Sequence, residues 1–209
     1  HVHCTVFSPD NKYLYVVDLG IDQVITYTLA GVNGRLNVIP PPYFVNTKAG
    51  AGPRHFVFHP SGKFSYLIEE LSGAVSVYSA AKSPYLELVQ HISTHPADYK
   101  GAIASADIHI SPDGKFLYTS NRGESNSLAI FKIDETSGKL THVGQHPTLG
   151  KKPRNFNFDP SGNFLLVANQ ESDEIVIFKR DLNTGLLTDT GKRVTVGKPV
   201  CIQWLTDVK

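Results

Sequence analysis

His3, Arg54, Glu70, Arg122 and Arg154 are the side chains of this sequence whose types and spacing could carry chemistry. Arginine forks bind carboxylate or phosphate in bidentate fashion, so three of them converging would favour an anionic ligand. Histidine titrates near neutrality and can move a proton, as can a glutamate. A glutamate among arginines feels opposed influences: their positive charge lowers its pKa and desolvation raises it.

The five share a frame. Six residues before Pro9, Pro60, Pro112 and Pro160 stand His3, Arg54, Ala106 and Arg154, and ten residues after them stand Leu19, Glu70, Arg122 and Gln170. The adjoining positions hold Cys4, His55, Asp107 and Asn155 before the proline, and Asp18, Glu69, Asn121 and Asn169 after it. A structural position tends to keep one residue type from repeat to repeat, whereas these change among His, Arg, Glu, Asp, Asn and Gln. A binding rim needs such variety; hydrogen bonding to nearby loops is the simpler alternative for any one of them.

The elements that must position them are repeats. The phrases HCTVFSPDNKYLYVVDL, RHFVFHPSGKFSYLIEEL, DIHISPDGKFLYTSNR and RNFNFDPSGNFLLVANQ recur about every 50 residues. In each, a short alternating run meets Pro-Asp-Asn, Pro-Ser-Gly or Pro-Asp-Gly. Proline fixes φ there and Gly or Asn accepts positive φ, so the chain reverses into a second strand. A third strand follows, at 24–28, 75–78, 128–133 and 175–179, and then a fourth, as at 140–146 and 186–194. No stretch has a helical period.

Four antiparallel strands per repeat describe a β-propeller blade, with strands a to d running outward from the axis. The expected fold is all-β, one propeller domain over 1–209. Its blades fall near 1–50, 51–101, 102–150 and 151–196, and a closing a strand covers 197–205. The first blade already owns an a strand, so the closing strand has no mate. The expectation is therefore the C-terminal part of a larger propeller, with a four-bladed ring plus tail strand as the alternative. In a blade, the d-to-a and b-to-c connections meet on one face, and all the positions above lie on that rim.

Composition narrows the partners. Lys plus Arg number 20 against 19 Asp plus Glu, a net charge of +1, which argues against a dedicated nucleic-acid binder. No apolar run is long enough to span a bilayer. Cys4 and Cys201 are too few for a disulfide framework and lack metal spacing. His1 and His3 have strand spacing for a metal but no evident third ligand. His59 and His109 read as packing or hydrogen-bonding residues, and His91, His95, His142 and His146 as surface residues. Lys151 and Lys152 precede an a strand on the rim and could meet a phosphate. Nucleophile-elbow, P-loop and dinucleotide motifs are absent.

The segments GAGPRHFVFHPSGKFSYLIEEL, ADIHISPDGKFLYTSNR and KKPRNFNFDPSGNFLLVANQ resemble the bacterial lactonase family of seven-bladed propellers. The resemblance implies the last four blades and closing strand of such a protein. It also implies a catalytic set of one His, two Arg and one Glu, which maps onto His3, Arg54, Arg122 and Glu70. Arg154, His55, Asp107, Asn121 and Gln170 are then expected to bind substrate. The implied reaction is hydrolysis of a small anionic sugar lactone, most specifically 6-phosphogluconolactone. It needs no metal or cofactor and involves neither nucleic acid nor membrane. Carboxymuconate-type cycloisomerisation and non-catalytic ligand or partner binding are the alternatives. A cytoplasmic location follows from the resemblance, with weak support from the cysteines.

Overall fold

The computed structural model describes residues 1–30 and 35–205; the rest of the 1–209 span, residues 31–34 and 206–209, lies outside the described residues. Its described residues form strands and connections with no helix. Blade 1 is β1 (Val2–Phe7), β2 (Tyr13–Asp18), β3 (Gln23–Ala30) and β4 (Arg35–Asn46). Blade 2 is β5 (Pro53–Phe58), β6 (Phe64–Glu69), β7 (Ala74–Lys82) and β8 (Tyr85–Ser93). Blade 3 is β9 (Ser105–Ile110), β10 (Phe116–Asn121), β11 (Ser127–Ile133) and β12 (Leu140–Pro147). Blade 4 is β13 (Pro153–Phe158), β14 (Phe164–Asn169), β15 (Glu174–Arg180) and β16 (Leu187–Thr195). Each blade is a separate antiparallel sheet in sequential strand order, so these are four propeller blades.

The reversals form as their residues dictate. Asn11, Gly62, Gly114 and Gly162 have φ of 57, 70, 74 and 71°, the left-handed region that glycine and asparagine tolerate. The turns also touch one another. His59 Nε2 lies 3.0 Å from the Gly114 carbonyl, so this histidine joins two blades and is structural.

The core lies between blades. Tyr15, Val17 and Val24 of blade 1 pack on Phe56, Leu67 and Tyr78 of blade 2. Tyr66, Ile68 and Val77 meet Ile108, Leu117 and Phe131 across the next interface. Tyr118, Leu128 and Ile130 meet Phe156, Leu165 and Phe178 across the third. Burying each large apolar side chain contributes roughly 1.5–3 kcal/mol. The tyrosines add a polar tie, since Tyr66 Oη donates to Gly138 O at 3.0 Å and Tyr118 Oη donates to Gly185 O. β6 and β10 are buried throughout, whereas β2 and β14 are only partly so, because blades 2 and 3 have a blade on both faces.

Residues 197–205, expected as a fifth a strand, form no strand. They run beside β13: Ile202 N donates to Asn155 Oδ1 at 2.7 Å and Asn157 Nδ2 donates to Ile202 O at 3.0 Å. That is where a next blade's innermost strand would lie. Innermost strands of adjacent blades touch without exchanging ladder bonds, so β13 offers side-chain partners but no ladder.

Candidate functional site

The a strands aim the rim residues with a shared irregularity. The β1–β2 register slips between Val2 and Cys4, β5–β6 between Pro53 and His55, and β13–β14 between Pro153 and Asn155. His3, Arg54 and Arg154 are thus the extra, bulged residues of their strands. A bulge re-aims a side chain out of the alternating pleat, which is why bulges gather beside active sites. The β9–β10 register slips at the same level, but there the extra residues include Ala106. Its carbonyl accepts from Arg54 Nη1 at 2.6 Å.

Arg54, Glu70 and Arg122 form a clamp across blades 2 and 3. Arg54 Nε donates to Glu70 Oε2 at 2.7 Å, and Arg122 Nη2 lies 2.8 Å from Glu70 Oε1. Arg122 also donates to the carbonyls of Ala104 and Ser105 at 3.3 and 3.2 Å. Both arginines are buried. Burial pushes Arg54 down to about 10, with the charges of Arg122 and Arg154 adding to it and Glu70 opposing; it remains a cation at pH 7. Burial would raise Glu70, but Arg122 and Arg54 outweigh it and hold the carboxyl below its ordinary range. Of the three arginines expected to favour an anionic ligand, Arg54 and Arg122 share a carboxylate of this chain, the glutamate expected among them.

Glu69 and Glu70 separate by strand alternation. Glu69 is buried behind the rim, accepting from Ser72 and Ser76 hydroxyls at 2.6 and 2.7 Å and lying 3.0 Å from His91 Nε2. Only Glu70 faces the arginines.

Asp107 is a second hub. It is 3% exposed, yet its carboxylate has a partner on every side. His55 Nδ1 lies 2.7 Å from Oδ1, while His109 Nε2 lies 3.1 Å from Oδ2. Asn155 Nδ2 and Phe156 N donate to Oδ2 at 2.6 and 3.2 Å. Burial opposes its ionisation, but His109 and His55, through charge and hydrogen bonds, drive its pKa far below the usual carboxylate range. His55 Nε2 in turn lies 3.2 Å from Arg54 Nη1. Asp107 therefore joins blades 2, 3 and 4 beneath the clamp. His109, by its sequence pattern a packing or hydrogen-bonding residue, is a member of this site. Its position two residues from Asp107 on one strand, hence on the same face, was the available signal.

His3 is exposed, with its ring 5.1 Å from that of His55. Burial of its inner side, then the Arg54 charge and His55, push it down to about 4, so it is neutral at pH 7. Arg154 and Gln170 are half-buried on blade 4. Asn121 is not on the rim. It is fully buried, with Oδ1 accepting from Ser105 and Thr94 hydroxyls at 2.6 and 2.9 Å and Nδ2 donating to Thr94 O at 3.1 Å. It fastens the connection between blades 2 and 3. His95, expected at the surface, is buried in that connection and stacked on Tyr99 with ring centroids 4.4 Å apart. The connection folds back on itself and Tyr99 covers the ring. Both cysteines are free. Among the described residues no group of three or more His, Cys, Asp or Glu is placed so that it could hold a metal ion. A cleft of about 450 Å³ near Lys115, Asp134 and Asn183 opens on the opposite face, where the a–b and c–d turns lie.

Known proteins share this arrangement of blades. The chain is 45% identical over 172 residues to a 6-phosphogluconolactonase of Formosa agariphila, covering 81% of this chain and 48% of that protein. It is 39% identical over 210 aligned positions to a 6-phosphogluconolactonase of Bacillus subtilis, covering 100% and 58%. The periplasmic gluconolactonase of Pseudomonas aeruginosa superposes with a TM-score of 0.94 at 40% identity, over 99% of this chain and 57% of that one. The chain thus spans about half the length of the curated relatives it matches. Residues 1–204 match the model of the lactonase family described as a 7-bladed β-propeller, and with blades, turns and rim all accounted for, the chain belongs to that family.

Proposed function

We propose that this rim hydrolyses a sugar lactone, with 6-phosphogluconolactone as the substrate. The observation that carries the reading is the Arg54–Glu70–Arg122 clamp beside a neutral His3, in a chain whose relatives are named as lactonases of this kind. Water attacks the lactone carbonyl carbon. Negative charge develops on the carbonyl oxygen, where the two guanidiniums of the clamp stabilise it in a site already organised for the purpose. Glu70 keeps those guanidiniums in place. Both its oxygens are engaged by Arg54 and Arg122, so it is committed to the clamp and not to the attacking water. His3 takes the proton from the attacking water. As the ring C–O bond breaks, the imidazolium returns that proton to the departing alkoxide. His55 and Asp107 hold Arg54 from behind.

The test is kcat/KM for 6-phosphogluconolactone against pH in the full-length protein. The wild type should lose activity with a midpoint near 4, where His3 protonates, well below an ordinary histidine. His3→Gln should be slower by roughly 100–10,000-fold and lack that limb. A limb that persists in His3→Gln would remove His3 from the mechanism. Binding of 6-phosphogluconate without turnover of the lactone would make this a ligand-binding propeller.

A further inference from the structure

Blade 4 repeats the rim geometry of blade 2 with one change of charge. Arg54 is the bulged residue between the pairs Pro53–Glu69 and His55–Ile68. Arg154 is the bulged residue between Pro153–Asn169 and Asn155–Ala168. Glu70 N donates to Gly52 O at 2.7 Å, and Gln170 N donates to Lys152 O at 3.0 Å. Gln170 therefore stands to Arg154 as Glu70 stands to Arg54. An amide carries no charge, and Gln170 Oε1 is buried with no hydrogen-bond partner.

The other acids nearby are committed. Glu70 serves Arg54 and Arg122, and Asp107 serves His55, His109 and Asn155. Glu171 pairs with Lys152 Nζ at 2.6 Å. Among the described residues Arg154 has neither an ion pair nor a side-chain hydrogen bond. It is nonetheless close enough for its charge to act on Arg54. The arginine with an uncommitted fork is thus beside the clamp and apart from it.

We infer that Arg154 anchors the phosphate ester of a phosphorylated sugar lactone, while the clamp handles the reacting carbonyl. This rests on the lactonase reading and adds to it the group that selects a phosphorylated over an unphosphorylated sugar. A planar fork suits a phosphate's oxygens, and a neutral Gln170 leaves that fork its full charge.

The experiment compares 6-phosphogluconolactone with glucono-δ-lactone in the full-length wild type, Arg154→Gln, Arg154→Lys and Gln170→Glu. The wild type should prefer the phosphorylated lactone. Arg154→Gln should cut that ratio of kcat/KM roughly 10–100-fold, the weight of a charge-assisted contact, mainly through KM. Arg154→Lys should restore part of it. Gln170→Glu, which gives Arg154 a carboxylate of its own, should cut it too. A fall of equal factor for both lactones, or a loss in kcat alone, overturns the inference. Calorimetry with 6-phosphogluconate and gluconate keeps the two readings apart. If neither lactone turns over, the activity assignment falls, but a phosphate preference lost in Arg154→Gln upholds the anchor. Equal binding of the two acids by the wild type overturns it.

Discussion

Blades 2 and 4 are built on one plan and put to different ends. Each places an arginine on a bulge of its innermost strand and a second residue across from it, at the end of the next strand. In blade 2 that residue is Glu70, and Arg54 is 1% exposed and pinned by carboxylate and carbonyl. In blade 4 it is Gln170, and Arg154 stays half-buried and, among the described residues, without an ion pair. One carboxyl-to-amide difference goes with an arginine committed to the clamp in blade 2 and one with an uncommitted fork in blade 4. A buried cation needs a counter-charge and satisfied donors, because an unpaired charge out of water is strongly unfavourable. A rim arginine left in partial contact with water needs neither.

Making blade 2 like blade 4 should have the largest effect. Glu70→Gln takes the shared anion from between two buried arginines and leaves an amide nitrogen facing one of them. Removing one partner of a buried pair costs about 3–5 kcal/mol, to be read from urea denaturation. The reorganised clamp should also lower kcat/KM for the lactone by roughly 100–1000-fold, comparable to losing an oxyanion donor. A variant with native stability would mean that Arg54 and Arg122 are held by Ala104, Ser105 and Ala106 carbonyls alone.

Asp107 is what keeps the two blades comparable, since His55 of blade 2 and Asn155 of blade 4 both bond to it. Asp107→Ala should cost about 3–5 kcal/mol, because it strips a buried, multiply bonded charge. Acid should act on the same joint. A carboxyl with a depressed folded pKa contributes stability that is present above its unfolded pKa and lost as pH falls toward the folded one. For Asp107 and Glu70, both depressed, the loss begins below about pH 4–4.5. His3, also lowered, acts in the same direction: unfolding takes up its proton already below about pH 6.5. Thermal midpoints should therefore decline steadily with acid, and less steeply below pH 4.5 in Asp107→Ala. An unchanged slope would show that this carboxylate is no stabilising link.

Much of this plan was legible in the sequence, and the limits have physical causes. The four prolines and their Asn or Gly partners gave the reversals, because local backbone preference decides a tight turn. The slots counted from those prolines picked out His3, Arg54, Glu70, Arg122 and Arg154, since strand ends keep their level from blade to blade. Counting put Glu70 in the slot with Glu69 beside it, and the environment of each is set by strand alternation, which turns Glu69 back to Ser72 and Ser76 and leaves Glu70 to Arg54. Asn121 was misplaced for a similar reason: it ends a strand, but its amide turns inward to Thr94 and Ser105. Residues 197–205 form no strand because no ladder partner for them stands among the described residues, and pairing is a tertiary property. The charge state of the rim was the least legible feature, since it depends on which arginine meets which acid in space.

The smallest expected effect tests that last feature most sharply. Arg154→Gln should change unfolding stability by less than about 0.5 kcal/mol, as for a surface substitution away from buried networks. Arg54→Gln, at the same position of blade 2, should cost several times more, because it leaves Glu70 one guanidinium short and Ala106 O without its donor. A large loss at Arg154 would mean that its guanidinium has a structural partner after all, and blades 2 and 4 would then be the same device. A negligible loss, joined to altered substrate preference, identifies a residue that the fold tolerates without needing. An arginine next to a buried cationic clamp lowers the pKa of Arg54 by its charge, so it opposes the folded state slightly, and a ligand anion is what would turn that repulsion into attraction.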